Sequence, residues 1–182
     1  MTFVVFLRGV NVGGHRRFRP SVVAQELRRY DVVNIGAAGT FVVRKGASQA
    51  HVRAELARCL PFETDVMICS GAEVLRLMAA NPLAGEASGP LVVPFVSVLA
   101  KPRQPSSPLP HSFPAAGEWS VRVVGQQGRL VYGVYRRHMK AIGNLSQIDR
   151  LFGVPATTRN WSTIAAIARI LTQPRLASSP GG

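Results

Sequence analysis

Acidic residues are scarce in this chain. Nine Asp and Glu stand against 22 Lys and Arg, a formal net charge of +13 over 182 residues. Paired carboxylates of the kind used in general acid–base chemistry are absent; Glu63 and Asp65 sit at i, i+2, a spacing ordinarily solvated at a strand edge. Cysteine is limited to Cys59 and Cys69, with no Cys-x-x-Cys spacing, which excludes a zinc or dithiol redox motif. The four histidines, His15, His51, His111 and His138, never fall at metal-ligand spacing. No metal and no cofactor is expected. Long hydrophobic runs are missing too. No apolar stretch reaches the ~18 residues of a membrane span. The apolar start, residues 1–7, lacks a basic flank and stops at Arg8, so no signal peptide is expected. With two reduced thiols, the chain reads as cytoplasmic. Charged residues make up 17% and apolar residues 47%, a balance that forms a core rather than a disordered coil.

The bases that are present gather toward the C-terminus. Residues 119–182 hold nine bases and one acid, Asp149, which makes +8 in 64 residues. Such a surface suits a polyanionic or phosphate-bearing partner, and equally a solvated face with none.

Hydrophobic periodicity orders the chain. Residues 3–7 form a continuous apolar strand, and Pro20 suits the first turn of a helix carrying Val23, Leu27 and Tyr30. Strands at 31–37 and 40–44 join through Ala38-Gly39. A helix at 48–60 and a strand at 64–69 complete the order β-α-β-β-α-β, the split βαβ or ferredoxin-like pattern. The expected fold class is α+β in two subdomains. Residues 1–70 form the ferredoxin-like one, and 71–100 supply a helix and a strand joining the halves. Residues 101–117, with five Pro among 17, form a mobile linker or loop. Residues 118–175 form a second α+β subdomain and 176–182 a disordered tail. Pro94 marks the strand at 91–99 as an edge or a bulge. Leu145, Ile148, Leu151 and Phe152 mark one helix, and another starts near Trp161. Ser70 reads as a helix cap rather than a nucleophile.

Two constellations stand out. The first strand runs into Arg8-Gly9-Val10-Asn11-Val12-Gly13-Gly14. Glycines let a backbone approach an anion, but Gly-x-x-x-Gly-Gly is neither the dinucleotide fingerprint nor a P-loop. Asn11 can instead close its own loop, and Arg8 can pair with a carboxylate. Farther on, Thr157, Thr158 and Asn160 read as N-cap residues ahead of the last helix. Arg159 does not fit that role, because a helix N-terminus disfavours a cation; it is either exposed or aimed at an anion. The order β-α-β-β-α-β also occurs in RNA-recognition domains, but residues 39–43 lack their basic-Gly-aromatic series.

Both constellations resemble signatures of a bacterial family known as domain of unknown function 1697. Residues 7–14 resemble its Arg-Gly-[Ile/Val]-Asn-Val-Gly-Gly motif, and residues 157–163 resemble its Thr-x-Arg-Asn-Trp-x-Thr motif. The resemblance implies a two-part protein of ferredoxin-like subdomains and transfers no activity and no cofactor. One departure is Ala38-Gly39-Thr40, where the family has Ser-Gly-Asn.

The expected function is a cytoplasmic binding module for a phosphate-bearing or nucleic-acid ligand. The expected ligand contacts are Arg8, Asn11, Gly13, Gly14, Thr158, Arg159 and Asn160, with the two signature ends converging. The alternatives are an enzyme acting on a small anionic metabolite and a structural protein whose signatures close the subdomain interface.

Overall fold

Five consecutive apolar residues can be buried together only if both faces of their strand are covered. β1 (Phe3–Leu7) meets that condition, and all five residues are buried. The computed structural model describes residues 1–11 and 17–174; Gly13, Gly14 and the tail expected at 176–182 lie outside the described residues.

After β1 come α1 (Pro20–Glu26), a 3-10 turn (Arg28–Tyr30), β2 (Val32–Ile35), β3 (Thr40–Val43), α2 (Gln49–Cys59) and β4 (Val66–Ser70). These strands form an antiparallel sheet in the order β2-β3-β1-β4. Phe3, Val5 and Leu7 pack with Val23 of α1, Leu27 at its C-terminal end, and Val52 and Leu56 of α2. Val4 and Phe6 point the other way.

The second sheet is built from β5 (Val92–Leu99), β6 (His111–Phe113), β7 (Val121–Gln127), β8 (Leu130–Arg136) and β9 (Ala156–Asn160). Its order is β6-β7-β8-β5-β9, again antiparallel. Sheet membership changes between β4 and β5. Residues 101–117 therefore lie within the second unit and include β6. α3 (Gly71–Ala80) and α6 (Trp161–Thr172) sit between the sheets, where Val74, Leu77, Ile164 and Ile167 join Phe6, Val96 and Leu130 in one core. α4 (Met139–Leu145) and α5 (Gln147–Phe152) cover the far face of the second sheet, over Phe95, Leu99 and Val121. No helix among the described residues is long and apolar enough to cross a membrane.

Several local expectations are corrected. Pro94 is not on an edge strand, because β5 lies between β8 and β9. β9 stops opposite Phe95, however, and alternation places the Pro94 nitrogen on the β9 side just beyond that end. The missing N–H therefore removes no ladder bond. Residues 139–152 form two helices rather than one, broken at Ser146. Thr157, Thr158 and Arg159 are not a helix approach but part of β9. Asn160 does occupy the N-cap of α6, without a side-chain cap bond. Ser70 caps α3 in a reciprocal box, its hydroxyl accepting from Glu73 N at 3.3 Å while Ser70 N donates to the Glu73 carboxylate at 2.7 Å.

β4 is an outer strand, and its exposed side is covered by guanidiniums. The Asp65 carbonyl accepts from Arg8 N, so by alternation the carbonyls of Val66 and Ile68 both face away from β1. Arg53 donates to Val66 O at 2.6 Å and Arg129 donates to Ile68 O at 2.7 Å.

Both cysteines are free thiols. Burial pushes Cys69, inside β4, up to about 12 from 9.0; burial and a bond to Glu26 also raise Cys59. At pH 8 an aromatic disulfide reagent is expected to titrate Cys59 alone in the folded chain, and both thiols after denaturation. Prompt reaction of Cys69 in the native protein contradicts this placement. The linked stability follows the same sign. The neutral buried thiol contributes fully below about pH 9, and that contribution is lost as pH rises toward 12, where unfolding releases the proton.

Candidate functional site

The two signatures meet at the C-terminal end of β1. Arg159 pairs across from Val96, and its side chain enters the space between the sheets, only 8% exposed. All five guanidinium N–H groups are engaged there. Nε donates to Thr40 Oγ1 at 2.8 Å. Nη1 donates to Thr157 Oγ1 at 2.9 Å and to Thr158 O at 3.0 Å. Nη2 donates to the carbonyls of Leu7 and Ala38, both at 2.8 Å. The cation also lies 5.8 Å from the Phe6 ring centroid. No carboxylate among the described residues takes part, and burial alone pulls Arg159 down to about 10.

This network takes in the turn that departs from the family pattern, through the Ala38 carbonyl and the Thr40 hydroxyl. Arg159 uses the Ala38 carbonyl rather than its side chain, so the residue type at 38 leaves that bond intact. Gly39 adopts φ +73 and packs so close that a Cβ would lie 2.8 Å from Leu7 Cβ, a position only glycine fills.

The neighbouring polar groups are similarly committed. Arg8 bridges two carboxylates, Asp65 at 3.3 Å through Nη1 and Asp149 of α5 through Nη2. Asp149 in turn accepts from Ala156 N at 3.0 Å. Asn11, at φ 54, closes its own loop: Nδ2 donates to Ala37 O at 2.8 Å and Phe18 O at 3.2 Å, and Oδ1 accepts from Phe18 N at 2.9 Å. Thr158 shares a 2.6 Å hydroxyl contact with Ser97. Asn160 Oδ1 accepts from Tyr135 at 3.1 Å. Of the described residues in the expected ligand set, Arg159 of β9 reaches the Leu7 carbonyl at the end of β1, next to Arg8, while Thr158 and Asn160 point to the opposite face of the sheet. Arg159 has no N–H left for a ligand. Its expected place in a ligand site is corrected to a lock between the sheets.

The open concavity lies elsewhere. A groove of about 1250 Å³ runs between residues 102–109, the β7–β8 hairpin and the end of α5. Gln126 Nε2 reaches Arg103 O at 2.6 Å on the hairpin side, and Ser106 N donates to Leu151 O at 2.7 Å on the α5 side. The Pro-rich segment is thereby fastened at both walls. Tyr132 lies across Gly125 at the groove; a Cβ on Gly125 would sit 2.5 Å from the Tyr132 hydroxyl. Arg103 and Arg150 are exposed on the lining, and neither has a carboxylate within ion-pair distance among the described residues. Among the described residues, the lining contains no His, Cys, Asp or Glu. No cluster of three metal-binding side chains occurs among the described residues. Sequence reasoning passed over this groove, although a signal was present: Pro102, Pro105 and Pro108 at intervals of three, in a stretch with no acid between Glu86 and Glu118.

Comparison with known proteins adds the fold and the family. A conserved bacterial protein of Streptococcus pneumoniae is similar to this chain, with a TM-score of 0.61 at 15% identity, covering 93% of this chain and 98% of that one. At that identity the likeness shows the fold alone. No curated protein matches the chain. The family model for the proteins of unknown function DUF1697 matches residues 1–108, more than half of the sequence, and the chain belongs to that family.

Proposed function

We propose that this protein is a cytoplasmic binding module for a phosphate-bearing ligand, and that the groove between the Pro-rich segment and α5 receives it. One observation carries the reading: two exposed guanidiniums, Arg103 and Arg150, line a concavity that holds no acid. Among the described residues seven of the nine acids are held in ion pairs, so few carboxylates compete for them. Arg matches phosphate with parallel N–H donors, and a site lined by Ser, Gln and backbone groups completes the polar contacts. A lining in which no His, Cys, Asp or Glu among the described residues stands by to activate the serines favours binding over catalysis. Two free thiols suit a reducing compartment.

The test is calorimetric titration with inorganic tripolyphosphate at low salt. Hydrogen bonds to charged groups contribute roughly 1.5–3 kcal/mol each, so Arg103→Ala with Arg150→Ala is expected to weaken binding at least about tenfold. Both side chains are exposed, and the melting temperature should stay within about a degree or two. Unchanged affinity in the double variant removes the groove from this role.

A further inference from the structure

Building on the phosphate-binding reading, we infer that the groove holds single-stranded nucleic acid along its backbone, without selecting sequence. Size is the first argument. At about 1250 Å³ the groove exceeds the roughly 300–1000 Å³ typical of small-ligand sites and suits a chain rather than a lone metabolite.

The placement of the arginines is the second. The Pro-rich wall is pinned at Arg103 O on the hairpin side and at Ser106 N on the α5 side. Three residues of extended chain span at most about 10 Å. Arg150 precedes Leu151, the partner of Ser106, so the two free guanidiniums mark the two ends of this pinned stretch. Every nucleotide of a single strand carries one phosphate, so a strand of a few nucleotides lying in the groove presents phosphates to both ends.

The third argument separates single strands from other polyanions. Tyr132, half-buried and packed over Gly125, borders the groove and supplies an aromatic edge against which a base of any type can rest. Ser106, Ser107 and Gln104 offer donors and acceptors that an unpaired base edge can use and a duplex keeps occupied. Because the surface is concave, the ligand enters the protein, and a strand with splayed bases can do so. An acidic polypeptide carries charge but no base to stack.

Fluorescence anisotropy with labelled oligothymidylates of about 4, 8 and 16 nucleotides tests the assignment, since such sites span roughly that range. Affinity is expected to rise with length until the groove is filled. With about two phosphates neutralised, the log–log salt slope should be near −1.4 and should fall by about 0.7 in Arg103→Ala. A length-independent affinity, equal binding of a duplex, or equal competition by polyglutamate overturns the single-strand assignment. In any of those cases, tripolyphosphate binding that still depends on Arg103 and Arg150 leaves the phosphate reading standing. Loss of both signals removes both. Circular dichroism of each variant confirms that the fold is intact.

Discussion

Arg159→Ala is expected to lower stability by roughly 3 kcal/mol or more, among the largest effects of any single substitution here. The change strips five hydrogen bonds from a charged donor and leaves the Leu7 and Ala38 carbonyls without that partner in the interior. Removing a buried cation recovers part of its desolvation cost, which is why the net figure is far below the sum of the bonds. For a chain of this size each kcal/mol shifts the melting temperature by about 2–4 °C, so a drop on the order of 10 °C should be seen. Arg159→Lys separates charge from geometry. Lysine keeps the charge but has three donors and no planar fork, so it should recover little of the loss. A melting temperature that holds in Arg159→Ala while ligand binding falls would return Arg159 to a ligand site and sink its role as a lock.

Gly133→Ala should be comparably damaging, for a steric reason. Gly133 lies at the centre of β8, opposite Phe95 of β5 and Val123 of β7. A Cβ there would meet the Arg122 carbonyl oxygen at 2.1 Å and the Phe95 ring at 3.0 Å. The first obstacle is backbone, beside the irregularity in β7 between Val123 and Gly125, and cannot swing aside. The strand must shift, and a loss of about 3 kcal/mol or more is expected. A urea midpoint within about 0.2 M of the parent would refute this account of why glycine occupies the position.

Much of the first sheet was legible because its strands are short, apolar and locally bounded. Phe3 to Leu7 announced a continuous apolar strand, and Ala38-Gly39 announced the turn that joins β2 to β3. β9 was not legible for a physical reason. Thr157 and Thr158 are good caps and good strand residues alike, and pairing with β5, some sixty residues away, decides between them. Once 157–160 is a strand, Arg159 no longer faces a helix N-terminus but the interior, which inverts its meaning. The break at Ser146 was hidden because Leu145 and Ile148 keep helical spacing across it. The groove was hidden because its walls come from three separate segments, and only the folded chain brings Arg103 and Arg150 to one concavity.

The guanidiniums on β4 have a consequence for how copies of this chain behave together. An outer strand with free carbonyls is a template for another molecule's strand. Here an incoming strand would have to displace Arg53 from Val66 O and Arg129 from Ile68 O, and bring its own amides against two positive charges. The same abundance of arginine that gives the surface its charge thus closes one route to edge-to-edge aggregation, leaving this margin of the sheet inert toward its own kind.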